Sequence, residues 1–459
     1  MLPPGPKLPK PLQTALMWTR PHRWAATNRR RYGDVFRVWA APSGWLVYLA
    51  DPADIKTVFA GDPAVYHAGE ANSILRGVVG DSSVLLLDEA RHRDRRKLML
   101  PPFHRDAVRR QAELMAEIAD ADVARWPVGR EFPVAPRMAA ITLEVILRTV
   151  IGTEDPARLA ALRGALPKVT DMNLLGVSSM ANPGLLRRWP WRGVRRRRAE
   201  ADALLYAEIA QRRADPRLAE RTDVLAMLVR AADEGGRQMT DAELRDQLIT
   251  LLMAGHETTA TALSWALERL VRNPEVLRRA VVAADAGDAA GDEYLDALVK
   301  ETLRIRPVIH EVARTLTRPV QVAGYDLPAG TIVMPAMGLV HASAEHYPDP
   351  DRFDPDRMVA PSSASGSGIS PVTPSPTTWF PFGGGGRRCL GATFAQVEMR
   401  VVLREILRRV QLDTTDAPDE PQRVKHITLV PRRGARIRVR ARRAAAVPSP
   451  LRIPKAHFA

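Results

Sequence analysis

The sequence predicts a mainly α-helical fold with small β-sheets, on three observations. From about residue 52 to residue 307, apolar side chains recur at spacings of three and four, the period of amphipathic helices. Residues 33–51 and 320–335 instead show β-branched and aromatic alternation broken by glycine and proline, which is typical of short strands joined by turns. One helix-period segment, which begins near residue 240, runs for about 32 residues, or roughly 48 Å, long enough to cross a whole domain.

The composition limits the classes of protein to consider. The chain has 459 residues, a net charge of +15 and one cysteine, Cys389. A single cysteine excludes an internal disulfide and any metal cluster held by cysteines alone. The sequence contains no apolar run of the length of a signal peptide or a membrane span, so we expect a cytoplasmic protein.

Basic residues occur in three groups, at 29–31, 195–198 and 432–443. No helix-turn-helix, zinc-finger or aromatic RNA-binding pattern accompanies them, so we predict no nucleic-acid partner. We interpret the charge as a solvated basic surface, with an acidic electron-donor protein as the alternative.

The predicted elements follow in order along the chain. Residues 1–32 are rich in proline and basic residues and precede a hairpin at 33–51. The long helix is predicted to begin at Thr240, whose spacing from Glu243 is that of a capping box, and to stop at Asn273 before a proline.

The last third of the chain is predicted to be more irregular. After short strands, residues 360–378 are of low complexity and are expected to form a surface loop. A helix is expected directly after Cys389, followed by a strand-like end and a basic, proline-containing tail at 441–459.

The motif AGHETT lies at the centre of the predicted long helix. Gly255 costs on the order of 1 kcal/mol relative to alanine inside a helix, and close approach of a ligand to the backbone would offset that cost. Beside it are a carboxylate, Glu257, and two hydroxyls, Thr258 and Thr259. Taken alone, the motif also fits a polar patch whose hydroxyls bond the preceding turn of helix.

Two further motifs are weak when each is taken alone. Glu301 and Arg304 of ETLR lie three residues apart on one helical face, as in an ordinary surface ion pair. Cys389 stands in FGGGGRRCLG, where the glycines let the backbone fold around the sulfur. We interpret this cysteine as a thiolate that ligates a metal cofactor, against the alternative of an inert buried thiol.

The four motifs AGHETT, ETLR, FDPDRM and FGGGGRRCLG, taken in this order, resemble those of the cytochromes P450, which are haem-thiolate monooxygenases. The resemblance covers nearly the whole chain and is strongest to soluble bacterial members. It implies one domain over 1–459, a helix-rich prism with a long central distal helix and a proximal loop that carries the cysteine ligand. The cysteine motif matches the family at Phe382, Gly383, Gly385, Arg387, Cys389 and Gly391.

The resemblance implies haem b as the cofactor and Cys389 as the ligand of its iron. Ala254 and the matching residues of the cysteine motif are implied to contact the haem. The implied partners of the haem propionates are Arg387, Arg314, Arg96 and His92. Arg95 could exchange roles with Arg96, because two adjacent arginines leave the register open.

Other roles also follow from the resemblance alone. Glu301, Arg304 and Arg357 of FDPDRM are implied to tie the proximal core together. On the distal side, Gly255 is implied to leave room for O2, Thr258 to hydrogen-bond at the oxygen site and Glu257 to relay protons. Thr259 is expected only to pack the helix.

The substrate pocket is implied to be chiefly apolar, so we expect a lipophilic substrate. Its implied lining is Leu251, Ala254, Val308, Ile309, His310, Val312 and Leu429. His310 and Glu311 would either anchor a polar group or face solvent.

The expected activity is insertion of one atom of O2 into a C–H bond. Electrons are expected from a separate ferredoxin and ferredoxin reductase, because no GxGxxG follows a predicted strand. The alternatives are a peroxide-driven peroxygenase, a dehydratase, or a haem-based sensor, against which the Glu257–Thr258 pair argues. Residues 182–198, rich in arginine with two tryptophans, are expected to contact a membrane surface or to form an ordinary loop with a basic helix start.

Overall fold

The computed structural model describes residues 2–170, 183–359 and 377–443. Within these ranges the fold is mainly α-helical with small β-sheets, as predicted. The predicted low-complexity loop, except for its last two residues, and the tail from residue 444 onward lie outside the described residues. The same holds for the first residue of the 182–198 segment.

Helices form most of the described chain. Their bounds are α1 (Lys10–Thr19), α2 (Pro21–Tyr32), α3 (Pro52–Ala60), α4 (Ala68–Ala71), α5 (Arg76–Val79), α6 (Glu89–Met99), α7 (Arg105–Arg110), α8 (Ala112–Val123), α9 (Ala135–Ile146), α10 (Pro156–Thr170), α11 (Arg192–Ala214), α12 (Val224–Arg230), α13 (Asp241–Arg272), α14 (Pro274–Ala286), α15 (Ala289–Ile305), α16 (Met337–His341) and α17 (Ala392–Arg409).

The strands are short. Their bounds are β1 (Val35–Ala40), β2 (Gly44–Leu49), β3 (Tyr66–His67), β4 (Glu131–Pro133), β5 (Arg314–Leu316), β6 (Val320–Val322), β7 (Tyr325–Leu327), β8 (Ile332–Pro335), β9 (Val410–Leu412), β10 (Gln422–Lys425), β11 (Thr428–Pro431) and β12 (Arg436–Arg442).

The largest sheet has the strand order β1-β2-β8-β5-β3. β1 and β2 form the predicted hairpin, in which Val35 lies opposite Leu49. β8 joins β2 in parallel, with Leu46 opposite Ile332. The sheet therefore holds the segment after α15 against the amino-terminal part of the chain.

Two strands interrupt the stretch that was predicted to be helical. β3 pairs with β5, and β4 pairs with β12, in both cases with partners far away in the chain. Each contains only two or three residues, too few to show the alternation by which a strand is recognised. Neither β3 nor β4 therefore has a local sequence signal, and both were included in the stretch predicted to be helical.

The long helix α13 has the predicted limits. The Thr240 hydroxyl accepts from the Glu243 N–H, and the Glu243 carboxylate accepts from the Thr240 N–H, so the capping box is complete. All residues from Thr259 to Val271 are buried, whereas residues 253–258 are partly or fully exposed. Because a helix buried on every face lies inside a core, AGHETT marks the point where α13 passes from an open space into the interior.

The segment that carries Cys389 lies between two hydrophobic clusters. Phe382 packs against the large helical cluster, which contains buried side chains of α8, α9, α13, α15 and α17. Phe380 and Phe59 belong to the cluster beneath the largest sheet. The cysteine is thus placed where the helical part of the molecule meets the sheet.

Candidate active site

The cysteine loop, defined here as Phe382–Gly391, is held by backbone hydrogen bonds. The Cys389 N–H donates to Phe382 O at 2.9 Å, and the Gly383 N–H donates to Phe380 O at 2.9 Å. Gly383 and Gly385 have φ angles of +67° and +61°, in the left-handed region that favours glycine. Two of the motif glycines are therefore required by the local backbone conformation.

Close approach to helix α3 gives a second reason for the glycines. A Cβ on Gly385 would stand 1.8 Å from the Phe59 carbonyl oxygen, and one on Gly384 would stand 2.5 Å from the Phe59 ring. The same ring meets Phe380 edge-on, and the Arg314 guanidinium lies 5.8 Å from its centroid. Sequence reasoning missed Phe59, because an aromatic residue in an amphipathic helix gives no signal beyond burial.

The Cys389 sulfur is open on one side and enclosed by protein on the others. Burial raises the pKa of the thiol, and the opposing effects of the Gly391 N–H, Arg96 and Arg388 do not outweigh it. The protein by itself therefore favours the thiol, and the thiolate inferred from the sequence requires a bound metal, which deprotonates a coordinating cysteine.

The residues predicted to bind the propionates come together from three parts of the chain. His92 and Arg96 lie in α6, Arg314 begins β5 and Arg387 lies in the cysteine loop. Burial, together with the charges of Arg387, Arg96 and Arg314, lowers the pKa of His92 to about 4. Burial and the charge of Arg387 likewise lower the pKa of Arg314 to about 10.

This cation group is only partly neutralised by the protein. Arg387 Nη2 lies 2.5 Å from Asp88 Oδ1, and the same side chain donates to the carbonyls of Val84 and Leu87. One carboxylate does not balance the three guanidinium groups. A dianionic ligand beside Cys389, such as the two propionates of haem, fits this excess of positive charge.

The structure separates Arg95 from Arg96. Arg95 is buried and pairs with Glu243 in the cap of α13. Arg96 lies within electrostatic reach of Cys389 and Arg388. Successive residues of a helix are turned by about 100° around its axis, so of the two arginines only Arg96 points toward the side of α6 that faces the sulfur of Cys389. The sequence alone could not decide between them.

The hydroxyl of Thr258 bonds within its own helix. Its Oγ1 donates to Ala254 O at 2.6 Å, the arrangement that the sequence offered as the polar-patch alternative. Ala254 is exposed and Thr258 is half-buried, so both border a space that a ligand can reach. Thr259 is buried, as expected for a packing residue.

Gly255 is explained by a helix contact. A Cβ at this position would stand 2.9 Å from Ile146 Cδ1 in α9, so the glycine lets the two helices approach. That contact is a second reason for a glycine at this position, beside the ligand approach expected from the sequence. Room for O2 at Gly255 stays a prediction.

Glu257 is held by the tip of the β10–β11 hairpin. Lys425 Nζ lies 2.8 Å from Glu257 Oε1, and His426 Nδ1 lies 3.3 Å from Oε2. Burial alone would raise the pKa of Glu257, but these two partners outweigh it and lower the pKa. Sequence reasoning missed both partners, because the hairpin lies about 170 residues away and nothing in RVKHITLV indicates its register against α13.

The predicted structural group is assembled in the core. Arg304 Nε and Nη2 donate to the Glu301 oxygens at 2.7 and 2.8 Å, and Arg357 Nε lies 3.2 Å from Glu301 Oε1. The Glu301 and Arg304 side chains are fully buried, so the surface ion pair that ETLR indicates by itself is wrong. Arg304 also donates to the carbonyls of His341 and Pro350, which fixes the segments around it.

The predicted pocket residues fall into two groups. Ala254 lies on the open part of α13, whereas Leu251, one turn earlier, is partly buried against the large helical cluster. Val308 and Leu429 are buried and joined by a hydrogen bond from Leu429 N–H to Val308 O at 2.9 Å. Ile309 and Val312 are partly buried against the cluster beneath the sheet.

His310 is linked to the amino-terminal part of the chain through its neighbour Glu311. Its Nε2 lies 3.5 Å from Glu311 Oε2, and Glu311 accepts from the Tyr48 hydroxyl at 3.0 Å. A Cβ on Gly338 would lie 2.9 Å from the His310 Cβ. The buried side chain contradicts the solvent-facing alternative, and its role in a substrate pocket stays a prediction.

Among the described residues, no helix is long and apolar enough to cross a membrane, and no His, Cys, Asp and Glu side chains form a group of three that could hold a metal ion. A cavity of about 410 Å³ near Arg212 and Glu208 is lined by none of the predicted site residues.

Comparison with known proteins identifies the family. The model of the family "Cytochrome P450" matches residues 3–438. "Putative cytochrome P450 135B1" of Mycobacterium tuberculosis is 64% identical over 445 residues, covering 96% of this chain and 92% of the relative. "Putative cytochrome P450 135A1" of the same species is 42% identical over 442 residues, covering 95% of each chain.

Solved structures agree on the fold. "Retinoic acid bound cyanobacterial CYP120A1" is similar with a TM-score of 0.80 at 24% identity, covering 95% of this chain and 99% of that one. "Crystal structure of cytochrome P450DA heme domain" gives the same TM-score and identity, covering 96% and 98%. The chain that assembles Cys389, the cation group and AGHETT in this fold therefore belongs to the cytochrome P450 family, whose members are haem-b-binding monooxygenases.

Proposed function

We propose that the protein inserts one oxygen atom of O2 into a C–H bond of a lipophilic substrate, with electrons from separate redox proteins. The observation that carries the proposal is the pair Glu257–Thr258, a carboxylate and an accessible hydroxyl on adjacent residues at the open part of α13. Such a pair can hold and move protons beside bound O2, which a protein that only binds a ligand does not need.

The residues around Cys389 would hold the haem. Cys389 would ligate its iron, and neutral His92 together with the guanidinium groups of Arg96, Arg314 and Arg387 would bind its propionates. When bound there, the haem supplies the chemistry of O2 activation. The chain supplies the thiolate, the balancing charges and the polar groups on α13.

Thr258 and Glu257 have different tasks in this proposal. The Thr258 hydroxyl would turn from the Ala254 carbonyl toward the oxygen site and donate a hydrogen bond there. Glu257, which its partners keep ionised near neutral pH, would accept a proton and pass it to the same place. Apolar side chains such as Leu251 support a lipophilic substrate at this part of the helix.

The test uses Thr258→Ala, with Thr258→Ser as the matched control that keeps the hydroxyl. We expect the alanine variant to consume reductant and O2 but to form at least about tenfold less product, because general acid–base groups contribute about 10²–10⁴ in rate. Turnover driven by hydrogen peroxide should change little. An alanine variant that keeps both its product yield with O2 and its peroxide-driven turnover would contradict a role of Thr258 in O2-dependent monooxygenation and favour a peroxygenase or dehydratase.

The electron donor is proposed to be an acidic ferredoxin with its reductase. Exposed Arg388 is adjacent to Cys389, and exposed Arg91 and Arg93 lie in α6 beside the predicted propionate partners. A donor that docks on these charges should lose rate as salt rises, because salt screens interactions between exposed charges over about 10 Å at 0.1 M. Turnover insensitive to ionic strength would contradict this docking.

A membrane contact is proposed for the segment around Trp189. This side chain is 85% exposed, and Arg187, Arg188, Arg192 and Arg195 are also exposed. An exposed tryptophan among arginines suits the surface of an anionic bilayer. Flotation with vesicles of phosphatidylglycerol and phosphatidylcholine tests this, and equal flotation of Trp189→Ala and the unchanged protein would contradict it.

A further inference from the structure

We propose that His426 is the proton donor to Glu257, and that Lys425 is a positioning residue that holds this carboxylate ionised and in place. The inference rests on the proposed function, in which Glu257 relays protons. It assigns the hairpin tip, which the motifs do not cover, as the outer end of the relay.

The hairpin is fixed to α13 at two points. The Trp265 Nε1–H donates to Leu429 O at 2.8 Å in the hairpin, while Glu257 meets Lys425 and His426 at the tip. Trp265 and Glu257 are eight residues apart in α13, which is about 12 Å along a helix. The tip therefore has a defined position over Glu257.

No other charged group competes for Glu257 from the elements packed around it in the described chain. His256, its neighbour in α13, meets the Thr142 hydroxyl of α9 through Nδ1 at 2.9 Å. Burial, together with the charge of Lys425, lowers the pKa of His256 to about 4, against the opposing effect of Glu257, so this imidazole is neutral near pH 7. Its Nδ1 is already used, which leaves the hairpin residues as the partners of the carboxylate.

The two hairpin residues differ in what they can do. The ammonium group of a lysine has only donors and no acceptor, so Lys425 acts through its charge. An imidazole has two ring nitrogens, each of which can hold a proton, so His426 can act as a carrier. Lys425 is 44% exposed by side chain and His426 only 9%, which places the carrier in the enclosed position beside Glu257.

The proposed step moves one proton and no electrons. The Nδ1–H bond of the His426 imidazolium breaks, and an O–H bond forms on Glu257 Oε2. Water then returns a proton to His426, while Glu257 gives its proton to the oxygen site beside Thr258. The charge of Lys425 keeps Glu257 ionised between these events, ready to accept.

The variants exploit the backbone at the tip. His426 has φ of +58°, a conformation that asparagine tolerates better than most residues. His426→Asn can still donate an N–H to Glu257 but cannot carry a proton. Lys425→Met removes the charge, Lys425→Arg keeps it, and Arg423→Met removes another exposed cation two residues earlier on the same strand.

We expect His426→Asn to lower product formed per reductant consumed by about tenfold and to increase the solvent isotope effect on turnover. Lys425→Met should move the acidic limb of the pH profile to higher pH, because Glu257 loses the cation that lowers its pKa, and Lys425→Arg should restore it. An unchanged isotope effect in His426→Asn, or equal shifts in Arg423→Met and Lys425→Met, would overturn the inference.

A readout without turnover completes the test. In thermal unfolding of the haem-loaded protein, Glu257→Gln and Lys425→Met should each lower the melting temperature, and the double variant should fall by less than their sum. Additive losses in melting temperature would contradict an ion pair between Glu257 and Lys425. If Glu257→Gln and Thr258→Ala both turn over normally, the proposed function itself fails; if only His426→Asn does, the inference alone fails.

Discussion

The cysteine side and the α13 side of the site are built differently. On the cysteine side, the chain uses glycines with left-handed backbone, a close approach of Gly385 to the Phe59 carbonyl of α3 and a buried glutamate between two arginines. Around Thr258, the polar groups are partly open and bond their own helix or the tip of a hairpin. On the cysteine side, the groups cannot move without leaving buried charges unpaired or making backbone clashes. On the α13 side, the groups can exchange hydrogen-bond partners.

The largest effect is expected from the buried ion pairs of the cysteine side. Glu301→Gln removes the charge between Arg304 and Arg357, and a broken buried ion pair costs about 3–5 kcal/mol in the free energy of unfolding. Denaturant unfolding followed by circular dichroism measures the loss. As a control from the α13 side, Glu257→Gln should cost less than about 1 kcal/mol, because that pair is partly exposed. Similar losses at both positions would remove the contrast between the two sides.

Two glycines give the next comparison. Gly385→Ala places a Cβ in a left-handed conformation and against the backbone of Phe59, so we expect a loss of about 2–4 kcal/mol and weaker haem retention. Thermal unfolding and the haem content of the purified protein check this. Gly386→Ala is the matched control, because a Cβ there would meet nothing within 4 Å. A stable Gly385→Ala with full haem content would show that the close contact with α3 is dispensable.

Glu311 is a buried carboxyl group that, unlike Glu301, has a tyrosine and a histidine as neighbours instead of arginines. Burial raises the pKa of Glu311 to about 7, although the Tyr48 hydroxyl bond opposes the shift. Between its ordinary value of 4.5 and about 7, the folded protein keeps a proton that the unfolded chain releases, so stability falls as pH rises through this window. Glu311→Gln should remove that fall and gain about 3 kcal/mol at pH 8 relative to pH 4.5, since one unit of pKa is worth about 1.4 kcal/mol. Parallel stability curves for the two proteins would contradict the neutral state of Glu311.

The smallest effect is expected for the glycine of AGHETT. Gly255→Ala gains about 1 kcal/mol of helix propensity, while the Ile146 methyl, 2.9 Å from the new Cβ, must shift. We expect the two contributions nearly to cancel in thermal unfolding. The double variant with Ile146→Val, which removes that methyl, should recover the gain. If Gly255→Ala lost several kcal/mol in the free energy of unfolding, α13 would be packed at Gly255 as rigidly as the cysteine side.

The motifs predicted the glycine backbone of the cysteine loop and the grouping of Glu301, Arg304 and Arg357, because these features depend on residue types that the motifs contain. Glycines at Gly383 and Gly385 indicate special backbone, and ETLR with FDPDRM contains all three members of the buried ion pairs. The limits of α13 could also be predicted, since its capping box and terminal proline are local signals. The choice between Arg95 and Arg96 could not, because it depends on how α6 is turned against α13.

Contacts between distant segments were the part that the sequence could not supply. Phe59 beneath the cysteine loop and His426 beside Glu257 depend on packing of elements far apart in the chain. The contact of Gly255 with Ile146 could not be predicted either, because Ile146 belongs to another helix that is far away in the chain. Two-residue strands such as β3 could not be predicted for a different reason, because they are too short to show the alternation by which a strand is recognised.

The pairing of Arg95 with Glu243 has a consequence for cofactor loading. Arg95 reaches the first turn of α13, while the next residue, Arg96, points to the side of the sulfur. Any ligand that immobilises Arg96 also immobilises the turn of α6 that supports the start of α13. Hydrogen–deuterium exchange at the amino end of that helix should therefore slow when the prosthetic group enters, which makes a remote backbone segment a reporter of holoprotein assembly.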